Sequence, residues 1–145
     1  MHHIINVASL CSLIGLLTVC GCASTKQFVP RPDPQNISPG KAQIQINRPG
    51  QIWGTANALI VVDNATDIGV IGPRGNLLWE RDPGELNLAV GPKMLNMGHF
   101  DAPLIKVKAG YRYEFNTWLP FWYPFSRSGI EYIGEYKSTE QINED

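Results

Sequence analysis

The sequence predicts an all-β fold: a single small antiparallel β-sandwich, or a partly open barrel, of about eight short strands. Three observations carry this expectation. No stretch after residue 40 keeps a sustained 3.6-residue apolar period. Short alternating or continuous apolar runs recur instead, each bounded by Pro-Gly, Asp-Pro-Gly or Asn-containing turn signals. The chain, at 145 residues, has length for one globular core. The sandwich is expected over residues 41–136. It follows a signal peptide at 1–21 and a Pro-rich tether at 22–40, and a polar acidic tail at 137–145 comes after it.

Taken in order, the first strand is marked by Ala42, Ile44 and Ile46 alternating with Gln43, Gln45 and Asn47. Arg48-Pro49-Gly50-Gln51 follows, with Pro and Gly where a type II turn wants them. Ala58-Leu59-Ile60-Val61-Val62 is continuously apolar, as in a strand buried on both faces. Residues 68–71, 77–81 and 85–90 form further short runs, with turns at Gly72-Pro73-Arg74-Gly75 and Asp82-Pro83-Gly84-Glu85. Over residues 104–115, Ile105 and Val107 oppose Lys106 and Lys108, and Tyr113 and Phe115 oppose Arg112 and Glu114. An odd loop at Ala109-Gly110-Tyr111 would pair Val107 with Tyr113 and Ile105 with Phe115, with Gly110 at positive φ.

Composition removes several classes of function. Lys and Arg number 12 against 13 Asp and Glu, with no basic cluster, so the chain lacks the electrostatic footprint of a nucleic-acid binder. Four Trp, five Tyr and five Phe are too many for a disordered acidic tail. The three cysteines, Cys11, Cys20 and Cys22, all lie near the N-terminus, so no disulfide framework is spread through the chain. Residues 4–19 are uncharged and mostly apolar. At about 1.5 Å per residue they rise about 24 Å, short of the roughly 30 Å of a bilayer core, which fits a signal-peptide core.

That run ends in Val19-Cys20-Gly21-Cys22-Ala23, and a small residue directly before a Cys resembles the bacterial lipobox. The resemblance implies cleavage before Cys22, a diacylglycerol on its thiol and an acyl chain on its amine. Cys20 is the competing acceptor, but β-branched Val19 precedes it. In the same resemblance an Asp after the acylated Cys would favour retention in the inner membrane, so Ala23 implies the outer membrane. Residues 23–40 carry Pro30, Pro32, Pro34 and Pro39, the composition of an extended spacer reaching up to about 55 Å.

Four groups of residues resemble small bacterial lipoproteins with a PEGA-like domain of unknown function. They are Arg48-Pro49-Gly50, then Val62-Asp63-Asn64 with Ile68-Gly69, then Pro83-Gly84-Glu85-Leu86, and Ala109-Gly110-Tyr111-Arg112-Tyr113. The likeness spans roughly residues 42–115. These motifs are strand and turn punctuation; they imply a fold and carry no activity.

Chemistry-bearing residues are few. After cleavage the only imidazole is His99, near Asp101, and the only thiol is at the anchor. No nucleophile elbow is present, and one His cannot make a zinc site. Asp63-Asn64-Ala65-Thr66-Asp67 has Ala at the third place of a calcium loop and Ile68 at the sixth, so it reads as a β-turn. Gly69, Gly72 and Gly75 have phosphate-loop spacing, but Pro73 intervenes and turn glycines explain them. No catalytic residue, metal ligand or cofactor is expected.

The remaining feature is Trp118-Leu119-Pro120-Phe121-Trp122-Tyr123-Pro124-Phe125, flanked by Arg127. These rings are either core or an exposed platform that stacks on sugars, anchors a protein interface or sits at lipid headgroups. Strand parity places Trp122 outward and Phe121 and Tyr123 inward. The binding residues expected on this basis are Trp118, Phe121, Trp122, Tyr123, Phe125 and Arg127. The expectation as a whole is a non-enzymatic, lipid-anchored binding or partner-docking module on the periplasmic side of the outer membrane. Its partner would be an envelope protein or, alternatively, a glycan such as peptidoglycan.

Overall fold

A computed structural model describes residues 24–50, 57–92, 100–102, 104–119 and 129–137. These residues form an all-β sandwich of eleven strands. The strands are β1 (Lys26–Gln27), β2 (Ala42–Asn47), β3 (Leu59–Asp63), β4 (Thr66–Ile71), β5 (Asn76–Arg81) and β6 (Gly84–Leu86). Then come β7 (Leu88–Pro92), β8 (Phe100–Asp101), β9 (Ile105–Val107), β10 (Tyr111–Trp118) and β11 (Gly129–Lys137). One sheet has the order β1-β4-β3-β7-β8 and the other β11-β10-β2-β5, with a two-stranded β6-β9 piece beside them. All pairings are antiparallel except β10 with β2, which is parallel.

Alternation in the sequence sets the core. In the four-stranded sheet, Ile44 lies between Trp79 and Tyr113, and Ile46 between Leu77 and Phe115. All six are at most 2% exposed. Leu59 and Val61 of β3, with Leu88 and Val90 of β7, supply the facing layer. Both sheets contribute to one cluster, because period-two patterning gives each strand a single apolar side to bury.

The 58–62 run makes β3, but Ile60 and Val62 are only half-buried. The strand buried on both faces is β4, where Ile68 through Ile71 are all buried. Its outer side is closed by residues the sequence assigns to the tether. β1 pairs with β4, Lys26 against Val70 and Gln27 against Gly69, and Phe28 N–H donates to Ile68 O at 2.8 Å. Gln27 Nε2 then donates to Leu78 O (2.7 Å) and its Oε1 accepts from Leu78 N–H (3.2 Å), so one side chain bonds the free edge of β5 as a strand would.

The 29–39 strap continues over the other face of that sheet. Gln43 donates to Asp33 O, Arg31 to Asn76 Oδ1, and Arg112 to both Gln43 Oε1 and Pro34 O. Prolines fix the extended backbone, but these bonds hold it against the domain, so it does not act as a spacer over this stretch.

Three turn expectations can be compared directly. Asn64 and Ala65 both take positive φ (45° and 68°), giving the tight β3–β4 hairpin that a β-turn reading of 63–67 requires. Gly50 does not take the positive φ of a type II turn, and Gln51 lies outside the described residues. The hairpin expected at 104–115 does not form. β9 pairs with β6, while both edges of β10 are taken by β11 and β2.

Gly110 does carry positive φ (76°), but the turn there passes the chain from one sheet to another. Gly110 N–H donates to Lys41 O, and Lys108 N–H donates to the Tyr113 hydroxyl. The inside–outside parity still holds, with Val107, Tyr113 and Phe115 buried and Lys106 and Lys108 exposed. Parity fixes which face a side chain takes and leaves the neighbouring strand open.

Candidate functional site

The inner face of the sandwich ends at a charged cluster. β3 continues its inward parity from Leu59 and Val61 to Asp63, and β5 continues from Leu77 and Trp79 to Arg81. These positions meet across the two sheets. Trp79 Nε1 donates to Asp63 Oδ2 at 2.9 Å, and Arg81 Nη1 bonds Asp63 Oδ1 at 2.5 Å. Burial pushes the Asp63 carboxyl above its usual range, and the Trp79 hydrogen bond and Arg81 charge pull it partly back. With each oxygen engaged by a different partner, the carboxylate ties one sheet to the other.

A groove of about 950 Å³ opens over this cluster, between the strap and the ends of β3, β4 and β5. Its wall carries Arg31, Asp33, Lys41 and Asp82, a mixed lining without a dominant charge sign. Lys41 and Asp82 form an exposed pair at 2.8 Å, and the Lys41 ammonium holds the Asp82 carboxyl below its usual value. A second cleft of about 660 Å³ lies where the strap meets the far strands, lined by Pro34, Arg112, Glu114 and Tyr136 among others.

Arg48, part of the Arg-Pro-Gly signal, is 2% exposed. Its Nη1 donates to Asn57 O at 2.6 Å and Ile71 O at 3.2 Å, and burial pulls its pKa below the ordinary value. It joins β4 to the segment entering β3 from within the fold.

Of the residues expected to bind a partner, Trp118 is half-buried at the end of β10. It stands opposite Gly129, and its indole fills the space where a Cβ on Gly129 would lie, so the ring covers the neighbouring strand. Phe121, Trp122, Tyr123, Phe125 and Arg127 lie outside the described residues, as do Cys22 and His99. No group of three or more His, Cys, Asp or Glu side chains is placed to hold a metal ion among the described residues.

Two features escape the sequence reading. One is the Asp63–Trp79–Arg81 link, whose signal is the inward parity that Asp63 shares with Leu59 and Val61. The other is β11, a nine-residue strand at the end of its sheet. Its signal is Ile130, Tyr132 and Ile133 among polar residues, blurred by the register shift opposite Glu114 and Phe115. Its Ile133 and Tyr136 are 44% and 52% exposed. Neither a protein-family model, nor a curated protein, nor a solved structure matches this chain.

Proposed function

We propose that this chain is a non-catalytic outer-membrane lipoprotein, acylated at Cys22 and facing the periplasm. Its sandwich docks an extended segment of another cell-envelope protein. The supporting observation is β11. It ends its sheet without a further partner strand among the described residues, and it exposes Ile133 and Tyr136. A strand edge presents unpaired N–H and C=O groups that template the addition of another strand. Glu131 and Glu135 on the same strand favour an occupant with apolar and basic side chains over a second acidic copy. The likeness to PEGA-like lipoproteins belongs to this reading, since it too implies a small envelope domain without an assigned reaction.

The test is site-specific photocrosslinking in intact cells, with the crosslinker replacing Ile133 and, as control, Asp67 on the β3–β4 hairpin. A defined envelope protein captured through Ile133 alone, with the adduct mapped to an extended basic or apolar peptide, supports docking. Retention on purified peptidoglycan without an Ile133 adduct would favour the glycan alternative built on residues 118–125. Turnover of a substrate lost on His99→Ala would overturn both. Mass spectrometry of the N-terminal peptide checks the acyl groups on Cys22.

A further inference from the structure

We infer that the N-terminal segment seats the domain edge-on against the lipid surface, with Lys26, Phe28 and Arg74 contacting anionic headgroups. This rests on the reading of Cys22 as the acylated residue. The anchor point and the fold are separated by almost nothing. Thr25 Oγ1 accepts from Gly72 N–H at 3.0 Å, and Lys26 and Gln27 are paired with β4. A Cβ on Gly75 would lie 1.9 Å from Thr25 Oγ1, and one on Gly69 would lie 2.5 Å from Lys26 O. Glycine at both positions admits this close approach, so the seat of the N-terminal segment is built into β4 and the turn after it. From Cys22 to Thr25 the chain spans three residue steps, at most about 11 Å when fully extended.

An acyl chain on Cys22 therefore holds the β1 edge of the sandwich at the bilayer. The residues displayed there suit that place. Phe28 is 50% exposed, and the Lys26 ammonium stands 5.9 Å from its ring centroid. Arg74 is exposed at the 72–75 turn that receives Thr25, and Asp67 lies at the opposite end of β4. An apolar ring flanked by cations is the composition of an interfacial contact, the ring entering the headgroup/acyl boundary while the cations are drawn to anionic lipid. The occupant is thus the membrane that carries the anchor.

The experiment uses the full chain, matured in cells and reconstituted into vesicles containing phosphatidylglycerol. A spin label is placed through Pro73→Cys beside the seat and, in a second sample, through Ile133→Cys on the far edge. Asn76→Cys, at the exposed start of β5 beside the same turn, serves the same purpose if Pro73→Cys does not fold. Collision with a water-soluble nickel chelate should be several-fold lower at the seat than at residue 133. Phe28→Ser combined with Lys26→Gln should raise it toward the value at 133. Equal collision at both sites, with Cys22 shown acylated by mass spectrometry of the same sample, overturns the seat and leaves the anchor standing. Shielding at residue 73 that ignores the Phe28 and Lys26 changes overturns the assigned patch. An unmodified Cys22 in the membrane fraction overturns the anchor, and the seat with it.

Discussion

Gln27 supplies a side-chain amide where a neighbouring strand would supply a backbone amide. Both polar groups of Leu78 at the edge of β5 depend on it. Gln27→Ala leaves them to water or to nothing, at a cost of about 1–3 kcal/mol. The denaturation midpoint should fall accordingly, and amide exchange at Leu78 should speed up more than at Leu77. Asp63 supports a second residue-level prediction. Its carboxyl has a raised pKa in the fold, mainly through burial. A raised acid adds stability where it is protonated, below its unfolded pKa, and that stability is lost as pH rises through the folded pKa. Asn at this position keeps an acceptor for Trp79 and does not titrate. The stability of Asp63→Asn relative to wild type should therefore rise across that pH window, measured by urea unfolding at several pH values. Asp63→Ala removes the acceptor from Trp79 and the partner from Arg81, and should cost about 3 kcal/mol at neutral pH.

At the scale of elements, β9 and β10 show what alternation conveys and what it omits. Val107, Tyr113 and Phe115 point inward as their spacing requires, yet β9 joins β6 and β10 joins β2. The turn between them is held by the Tyr113 hydroxyl and by Lys41 O. Tyr113→Phe should then loosen this turn and lose the hydroxyl's bond to Glu135 on β11, costing about 1 kcal/mol and speeding amide exchange at Lys108. Phe115→Ala, which opens the core, should cost about 3–5 kcal/mol. The all-β class, the first strand, the 77–81 strand and the 63–67 turn were legible in the sequence, because each depends on local spacing and turn chemistry. The strap was not legible. Alternating prolines specify an extended backbone, and only tertiary bonds through Gln27, Arg31 and Arg112 decide that it lies on the domain. β11 was obscured because a half-exposed edge strand with a register shift has no clean period of two. The Asp63 link was obscured because a carboxylate between an apolar run and a turn reads as part of the turn.

Across the whole molecule, the segment that leads to Cys22 ends the five-stranded sheet, where the Gln27 side chain reaches β5. The edge proposed to dock a partner is the opposite end of the four-stranded sheet. β1 and Gln27 cover the β5 end, and β11 forms the other end of the order β11-β10-β2-β5. Three strand spacings separate β5 from β11, about 14 Å at about 4.8 Å each. A domain seated through β1 would therefore turn β11 away from the bilayer, toward the proposed envelope partner. Sites at such a distance with no shared partners should act independently. Ile133→Lys is expected to abolish capture of the envelope partner while leaving lipid contact at residue 73 unchanged. Phe28→Ser is expected to lift residue 73 from the headgroups while leaving capture through β11 intact. The double variant should show both losses at the size each has alone, read by crosslinking yield and nickel-chelate collision on the same vesicles. Loss of capture in Phe28→Ser alone would mean that the partner is met at the membrane surface, which would move the docking edge to the β1 side of the sandwich.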